Sequence, residues 1–279
     1  MQFSKMYDIE NDFVVVDSVT QDIYLKSKIV RRLSNRNFGI GFNKLLLIEP
    51  PFYSNVDFHY RVFDKNGIEI RKYGNGILCF SIFVFIKKLV YKKNISVSIN
   101  KWKIKLNINK KNLICVNMGK PQFYLSKDFL CKNEISHNIR RISLVKKIVY
   151  TGIVFLGNFH YVVIVNDINC FECLMKHLIL KGDLVFLTNI DINVMQIMDT
   201  KNVILRVYEY NLGEIKGSEI GACASVSLGI QQGKLEKNVL VNLLHGTLKI
   251  NWGGYDSPVF MLGTAIHVYD GFIDLKKWV

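Results

Sequence analysis

At 279 residues the chain is long enough for one large domain or two of ordinary size. Its 49% hydrophobic and 22% charged residues exclude intrinsic disorder, and with 4 prolines no Pro-rich linker marks a boundary. The formal net charge of +14 comes from lysines scattered in short clusters such as Lys87-Lys88, Lys92-Lys93 and Lys110-Lys111, with no interleaved aromatic stripe. Lys, Asn, Ile, Phe and Tyr are all abundant, so the basicity reads as a bias of the gene's base composition and not as a nucleic-acid partner.

In chain order, Met1 to Lys5 is followed by Asp8 and Glu10 without an apolar run, so no signal peptide is expected. Residues 13–16 (Phe-Val-Val-Val) read as a strand, and residues 58–63 alternate like another. A helix is expected after Gly76, over 78–88, and the apolar run 77–86 is too short to cross a bilayer. Residues 95–108 suggest paired strands, and 113–118 a further strand. The run 148–165 is long enough to span a membrane, but Gly157, Asn158 and His160 interrupt it. Two buried strands joined by a polar turn are expected there, and no membrane partner. A second helix is expected after Gly221, over 224–230. The cysteines at 79, 115, 131, 170, 173 and 223 show no disulfide framework, which points to a reduced, cytoplasmic protein. Cys170-x-x-Cys173 lacks a second pair or a histidine at ligand spacing, so neither a metal nor a redox role is expected.

These features recur in order. Asn11 and Asn158 each precede an apolar strand, 147 residues apart. Glu69 stands four residues before Tyr73, and Glu214 four before Ser218, the two sets 145 residues apart. The near-constant offset suggests two similar halves.

Eight blocks then carry a family resemblance. They are Met1 to Met6 with Asn11-Asp12-Phe13-Val14-Val15-Val16-Asp17; Gly39-Ile40-Gly41-Phe42 with the stretch from Leu45 to Pro51; and Asp57 to Phe63 leading into Gly74-Asn75-Gly76. Val116-Asn117-Met118-Gly119 with Pro121, Gly157-Asn158 with His160, and Arg206-Val207-Tyr208-Glu209 with Gly221-Ala222-Cys223-Ala224 follow. Gly229-Ile230-Gln231-Gln232-Gly233 and the tail His267 to Ile273 complete the set. In this order and spacing the chain resembles proteobacterial diaminopimelate epimerase over nearly its whole length.

The resemblance implies an α+β fold of two similar halves, each a mixed β-sheet or barrel around a central helix, with the active-site cleft between them. The halves would be 1–117 plus 264–279, and 118–263. It implies a cofactor-independent isomerase of lysine and peptidoglycan-precursor biosynthesis, converting LL- to meso-diaminopimelate, with a possible homodimer. Such an enzyme removes an α-proton with one thiolate and reprotonates the opposite face with one thiol. Helix N-termini lower the thiol pKa and offer N–H groups to the substrate carboxylate.

The family's two cysteine positions hold Tyr73 and Ser218 here. A phenol titrates near pH 10, and a serine hydroxyl needs an activating neighbour, so both proton-transfer roles are expected to be lost. Lys44 lies within Asn43-Lys44, which replaces an aspartate–glutamine pair, and Asp64 and Asp191 replace substrate-facing asparagines. Tyr210 stands where a carboxylate-clamping arginine belongs, and Glu219 and Ile220 stand where the family has small residues. Asn11, Gly74, Asn75, Asn158, His160, Glu209 and Gly221 match the family's binding or turn positions, with His160 expected to be a core histidine. The expected protein is therefore a catalytically impaired or inactive homologue that uses no metal; a weakly active epimerase or racemase, or a non-catalytic binding protein, is the alternative.

Overall fold

The computed structural model describes the chain except Glu10, 71–73, Asn75, 110–112, 125–147, 181–189, 210, 211 and 279. It comprises two compact units, Met1–Asn117 with Leu262–Val279, and Met118–Met261.

The first unit runs β1 (Gln2–Tyr7), β2 (Asp12–Asp17), α1 (Ser27–Ser34), β3 (Lys44–Glu49), β4 (Phe58–Asp64), β5 (Glu69–Ile70), α2 (Ile77–Ile86), β6 (Asn94–Ile99), β7 (Trp102–Ile108) and β8 (Ile114–Asn117). The second runs β9 (Gln122–Tyr124), β10 (Ile148–Leu156), β11 (Asn158–Val165), α3 (Phe171–Leu180), β12 (Ile190–Asp199), β13 (Asn202–Glu209), β14 (Gly213–Ile215), α4 (Glu219–Gln231), β15 (Asn238–Leu243) and β16 (Gly246–Trp252). β17 (Val259–Gly263) and β18 (Ile266–Phe272) follow, and β18 lies antiparallel on β1 of the first unit.

The two units repeat one topology. In the first, β1–β2 is antiparallel, β2–β3 parallel, β3–β4 antiparallel and β4–β6 parallel, with β5 hung on β4. In the second, β10–β11, β11–β12, β12–β13 and β13–β15 follow the same senses, with β14 hung on β13. The fold is α+β, with the mixed sheets and few helices expected from the sequence.

Strands covered by helices on both faces, such as β2 and β11, read as continuous apolar runs, whereas β7, β13 and β16 alternate buried with more exposed residues. Along β11 the alternation still decides direction: Tyr161, Val163 and Val165 pack with Phe171 and Leu174 of α3, while Val162 packs with Ala224 and Leu228 of α4. In the first unit, Val14 and Val16 of β2 pack with Ile29, Val30 and Leu33 of α1. The central helices α2 and α4 are apolar or small on every side and almost wholly buried. Residues 148–165 form two strands, as expected. The helix expected over 224–230 begins five residues earlier, at Glu219, because the side chain of Ser218 caps it.

Candidate active site

Ser218 is the N-cap of α4, with extended backbone angles and its Oγ accepting from Gly221 N–H at 3.0 Å. The Ser218 carbonyl accepts from Ala222 N–H at 2.9 Å, the first intrahelical bond of α4. Glu219 and Ile220 follow as helical residues, buried at 3% and 7% exposure. In the first unit the matching stretch is a glycine turn: Gly74 and Gly76 have φ of 70° and 73°, and α2 starts only at Ile77. Residues with side chains at 219 and 220 favour right-handed helix where glycine supports a left-handed turn, so α4 starts a turn earlier than α2.

Beneath the α4 mouth lies a polar corner built by alternate residues of two parallel strands, β11 and β12. Asn193 Nδ2 donates to His160 Nδ1 at 3.0 Å, so the ring carries its proton on Nε2. That Nε2 donates to Asn158 Oδ1 at 3.1 Å, and Asn158 Nδ2 donates to Asp191 Oδ2 at 2.7 Å. The donors all point one way, ending on a carboxylate. His160 and Asn193 are fully buried, and Asp191 is 8% exposed. Asn193 Oδ1 lies 2.5 Å from where a Cβ on Gly221 would stand, so a side chain at 221 would have to displace the Asn193 amide. His160 is thus a satisfied core histidine, as expected.

The first unit offers a direct comparison. The β2–β3 register sets Phe13 beside Lys44, as the β11–β12 register sets His160 beside Asp191. A Cβ on Gly76 would meet Leu46 at 2.9 Å and the Phe13 ring at 3.0 Å. Phe13 and Leu46 therefore fill with apolar atoms the place that His160 and Asn193 fill with polar ones.

Of the remaining expected residues, Asn11 closes a tight turn: its N–H donates to Asp8 Oδ1 at 2.9 Å and its carbonyl accepts from Asp8 N–H at 3.1 Å. Lys44 faces Asp64 across the β3–β4 ladder. The Asp64 carboxylate turns back on its own loop, accepting from the N–H groups of Asn66 at 2.9 Å and Ile68 at 2.8 Å. Glu209 ends β13, half-buried, opposite Gly213. Tyr73, Asn75 and Tyr210 lie outside the described residues.

Sequence reasoning did not single out Asn193 or two arginine forks. Arg206 donates to both oxygens of Glu214 at 2.6 and 2.8 Å, and Arg61 to both of Glu69 at 3.0 and 2.9 Å. Each fork ties a long strand to the short strand that leads toward position 218 or 73. The signal for the forks was present, since Arg61 and Arg206 share the 145-residue offset of Glu69 and Glu214. Asn193 carried a weaker one, as the residue two beyond Asp191 on the same strand face.

A family model described as diaminopimelate epimerase matches residues 3–124. Over 276 residues the chain is 41% identical to the diaminopimelate epimerase of Buchnera aphidicola subsp. Baizongia pistaciae (strain Bp), covering 99% of this chain and 96% of that protein. The chain belongs to the diaminopimelate epimerase family. Solved structures with the same fold include a hydroxyproline epimerase from Agrobacterium vitis with bound trans-4-hydroxy-L-proline, at a TM-score of 0.63 and 11% identity over 100% of this chain and 96% of that one. Another is a predicted epimerase from Pseudomonas aeruginosa, at a TM-score of 0.65 and 11% identity over 98% of each chain.

Two buried thiols in this epimerase-family chain lie close in sequence to positions 73 and 218. Cys79 sits inside α2 and Cys223 inside α4, both fully buried. Burial, with Glu219 one turn earlier, pushes the Cys223 thiol well above its ordinary range. Neither thiol is exposed to take a proton from a ligand. Among the described residues, no group of three His, Cys, Asp or Glu side chains is placed to hold a metal ion, and no helix is long and apolar enough to cross a membrane.

Proposed function

We propose that this chain is a diaminopimelate epimerase homologue that keeps the epimerase fold but no longer inverts an α-carbon at a useful rate. The observation that carries the reading is the α4 mouth. Ser218 stands at a position where the family resemblance calls for a thiol, and its hydroxyl is spent as a helix cap. The Gly221 N–H, which a substrate anion could otherwise use, donates to the Ser218 side chain. Glu219 adds a buried carboxylate at the same mouth. With Tyr73 in the other family thiol position, neither face of the α-carbon has an acid–base group of suitable pKa.

The ancestral reaction in this reading is LL- to meso-diaminopimelate conversion, without cofactor or metal. The two epimerase-like halves in this reading are 1–117 plus 264–279, and 118–263. In this reading the protein is cytoplasmic, engages neither nucleic acid nor membrane, and takes diaminopimelate as its small-molecule substrate if any activity persists; a homodimer is compatible with it. Tyr73 and Ser218 are the replaced proton-transfer positions. Asn11, Lys44, Asp64, Gly74, Asn75, Asn158, Asp191, Glu209, Tyr210, Glu219 and Ile220 are the altered binding positions.

The test is α-proton exchange of diaminopimelate in heavy water with purified protein. General acid–base groups contribute roughly 10²–10⁴-fold, so losing both should leave exchange at background. Tyr73→Cys with Ser218→Cys should not rescue it alone; rescue should additionally need Tyr210→Arg and Glu219→Gly. Exchange above background by the unaltered protein overturns the reading.

A further inference from the structure

We propose that the first unit carries a binding site for a small organic ammonium compound, in a cavity between the β2–α1 connection and strands β3 and β4, with the Glu49 carboxylate as its anchor. The inference does not rest on the loss of epimerase activity. The cavity has a volume of about 360 Å³, within the range of small-ligand pockets. Leu25, Leu47 and Phe63 supply apolar walls, and Glu49 and Arg61 a polar side. Ser27, the first residue of α1, lines the cavity and is exposed.

Arg61 does not satisfy Glu49. It uses Nε and Nη2 on Glu69, and its Nη1 comes no nearer to Glu49 Oε1 than 3.6 Å. Glu49 Oε2 is shut from solvent, and no donor among the described residues reaches it. Two carboxylates thus face one guanidinium, which leaves one negative charge over. Burial raises the Glu49 carboxyl above its ordinary value, and Arg61 offsets this only in part. An ammonium group supplies both the missing donor and the missing positive charge. The terminal torsion of a glutamate is soft, so a small turn of the carboxylate presents Oε2 to the cavity while Oε1 stays by Arg61.

In the second unit the chain itself closes the corresponding place. The β3–β4 register sets Glu49 opposite His59, two residues before Arg61, and the β12–β13 register sets Gln196 opposite Ile204, two before Arg206, so Gln196 corresponds to Glu49. Gln196 Oε1 accepts from Ile168 N–H at 2.9 Å, and Phe171, the first residue of α3, covers the Arg206 guanidinium at 4.1 Å. Arg206 is balanced by Glu214, with the exposed Glu172 at 4.0 Å. In the first unit Ser27 begins the helix in place of Phe171, and Arg61 lies over Phe63 of its own strand at 4.8 Å. A hydroxyl in place of a ring opens the space, and a carboxylate in place of an amide charges it. Neither exchange helps the fold, since a cavity and an undercompensated carboxylate both cost stability. Together they suit a ligand with a positive head and a short apolar body.

The experiment is a heteronuclear NMR titration of the full-length, nitrogen-15-labelled protein with n-butylammonium chloride. Butan-1-ol and sodium butyrate serve as uncharged and oppositely charged probes of the same length. The ammonium should give saturable shifts centred on the amides of Leu25, Ser27, Leu47 and Phe63, the alcohol should bind about tenfold more weakly or worse, and butyrate should not bind. Glu49→Gln, which copies Gln196, should weaken the ammonium by about tenfold or more. Ser27→Phe, which copies Phe171, should abolish the shifts with the carboxylate intact. Lys26→Ala should not weaken binding, since Lys26 lines the cavity as an exposed cation. No saturable shift with the ammonium, equal binding of the alcohol or of butyrate, weaker binding by Lys26→Ala, or an affinity unchanged by Glu49→Gln or Ser27→Phe overturns the proposal. Should Glu49→Gln fail to fold, Ser27→Phe and the comparison of the three probes decide it.

Discussion

Replacing Ser218 by alanine isolates the cap from every other property of the α4 mouth. The hydroxyl accepts from Gly221 N–H at 3.0 Å in a residue that is only 8% exposed, so water cannot readily take its place. Loss of an N-cap costs about 0.5–2 kcal/mol, and a buried, unpaired N–H places this case in the upper half of that range, about 1–2 kcal/mol. That is roughly a 5–30-fold change in the folded-to-unfolded ratio. Ser218→Gly, which lets solvent reach the amide, should cost only a few tenths of a kcal/mol. Urea unfolding followed by circular dichroism reads both costs, and amide hydrogen exchange should quicken at Gly221 before the middle of α4. A Ser218→Ala cost below about 0.3 kcal/mol, or one equal to that of Ser218→Gly, would refute the assignment of the hydroxyl to a structural cap.

Asn193→Leu should destabilise the protein by about 1–3 kcal/mol, because it leaves Nδ1 of the fully buried His160 without its donor. His160→Phe with Asn193→Leu, which copies the Phe13 and Leu46 pair beneath Gly76, should cost less than Asn193→Leu alone; additive costs in a double-mutant cycle would contradict the shared network. Iodoacetamide at pH 8 should label exposed Cys173 in the native protein and spare Cys79 and Cys223, since burial holds the Cys223 thiol protonated. Mass spectrometry showing Cys223 labelled as fast as Cys173 would contradict its placement in the core.

Much of the architecture was legible in the sequence because local chemistry specifies it. The ten-residue run 77–86 has no polar face, so it could only be a buried element, and it forms α2. The glycine, asparagine and histidine that interrupt 148–165 forced a turn between strands, and β10 and β11 meet there. The start of α4 was less legible: Gly221 looked like a boundary, but a glycine is tolerated inside a helix when a cap upstream repays it, and Ser218 supplies that cap.

What only the tertiary structure decided is where the polar side chains end. Asp64 and Asp191 both looked like acids turned toward a ligand. Asp64 closes its own loop through Asn66 and Ile68, a contact of near neighbours in the chain. Asp191 reaches Asn158, 33 residues away, because β11 and β12 run parallel in a register that sets His160 beside Asp191. Hydrogen bonding is directional and falls off within an ångström, so a one-residue slip would have turned Asp191 and Asn193 to the opposite face and left His160 unpaired. Composition and spacing name the acids and amides of this chain; the parallel pairing of two strands under one helix end determines that they bind each other.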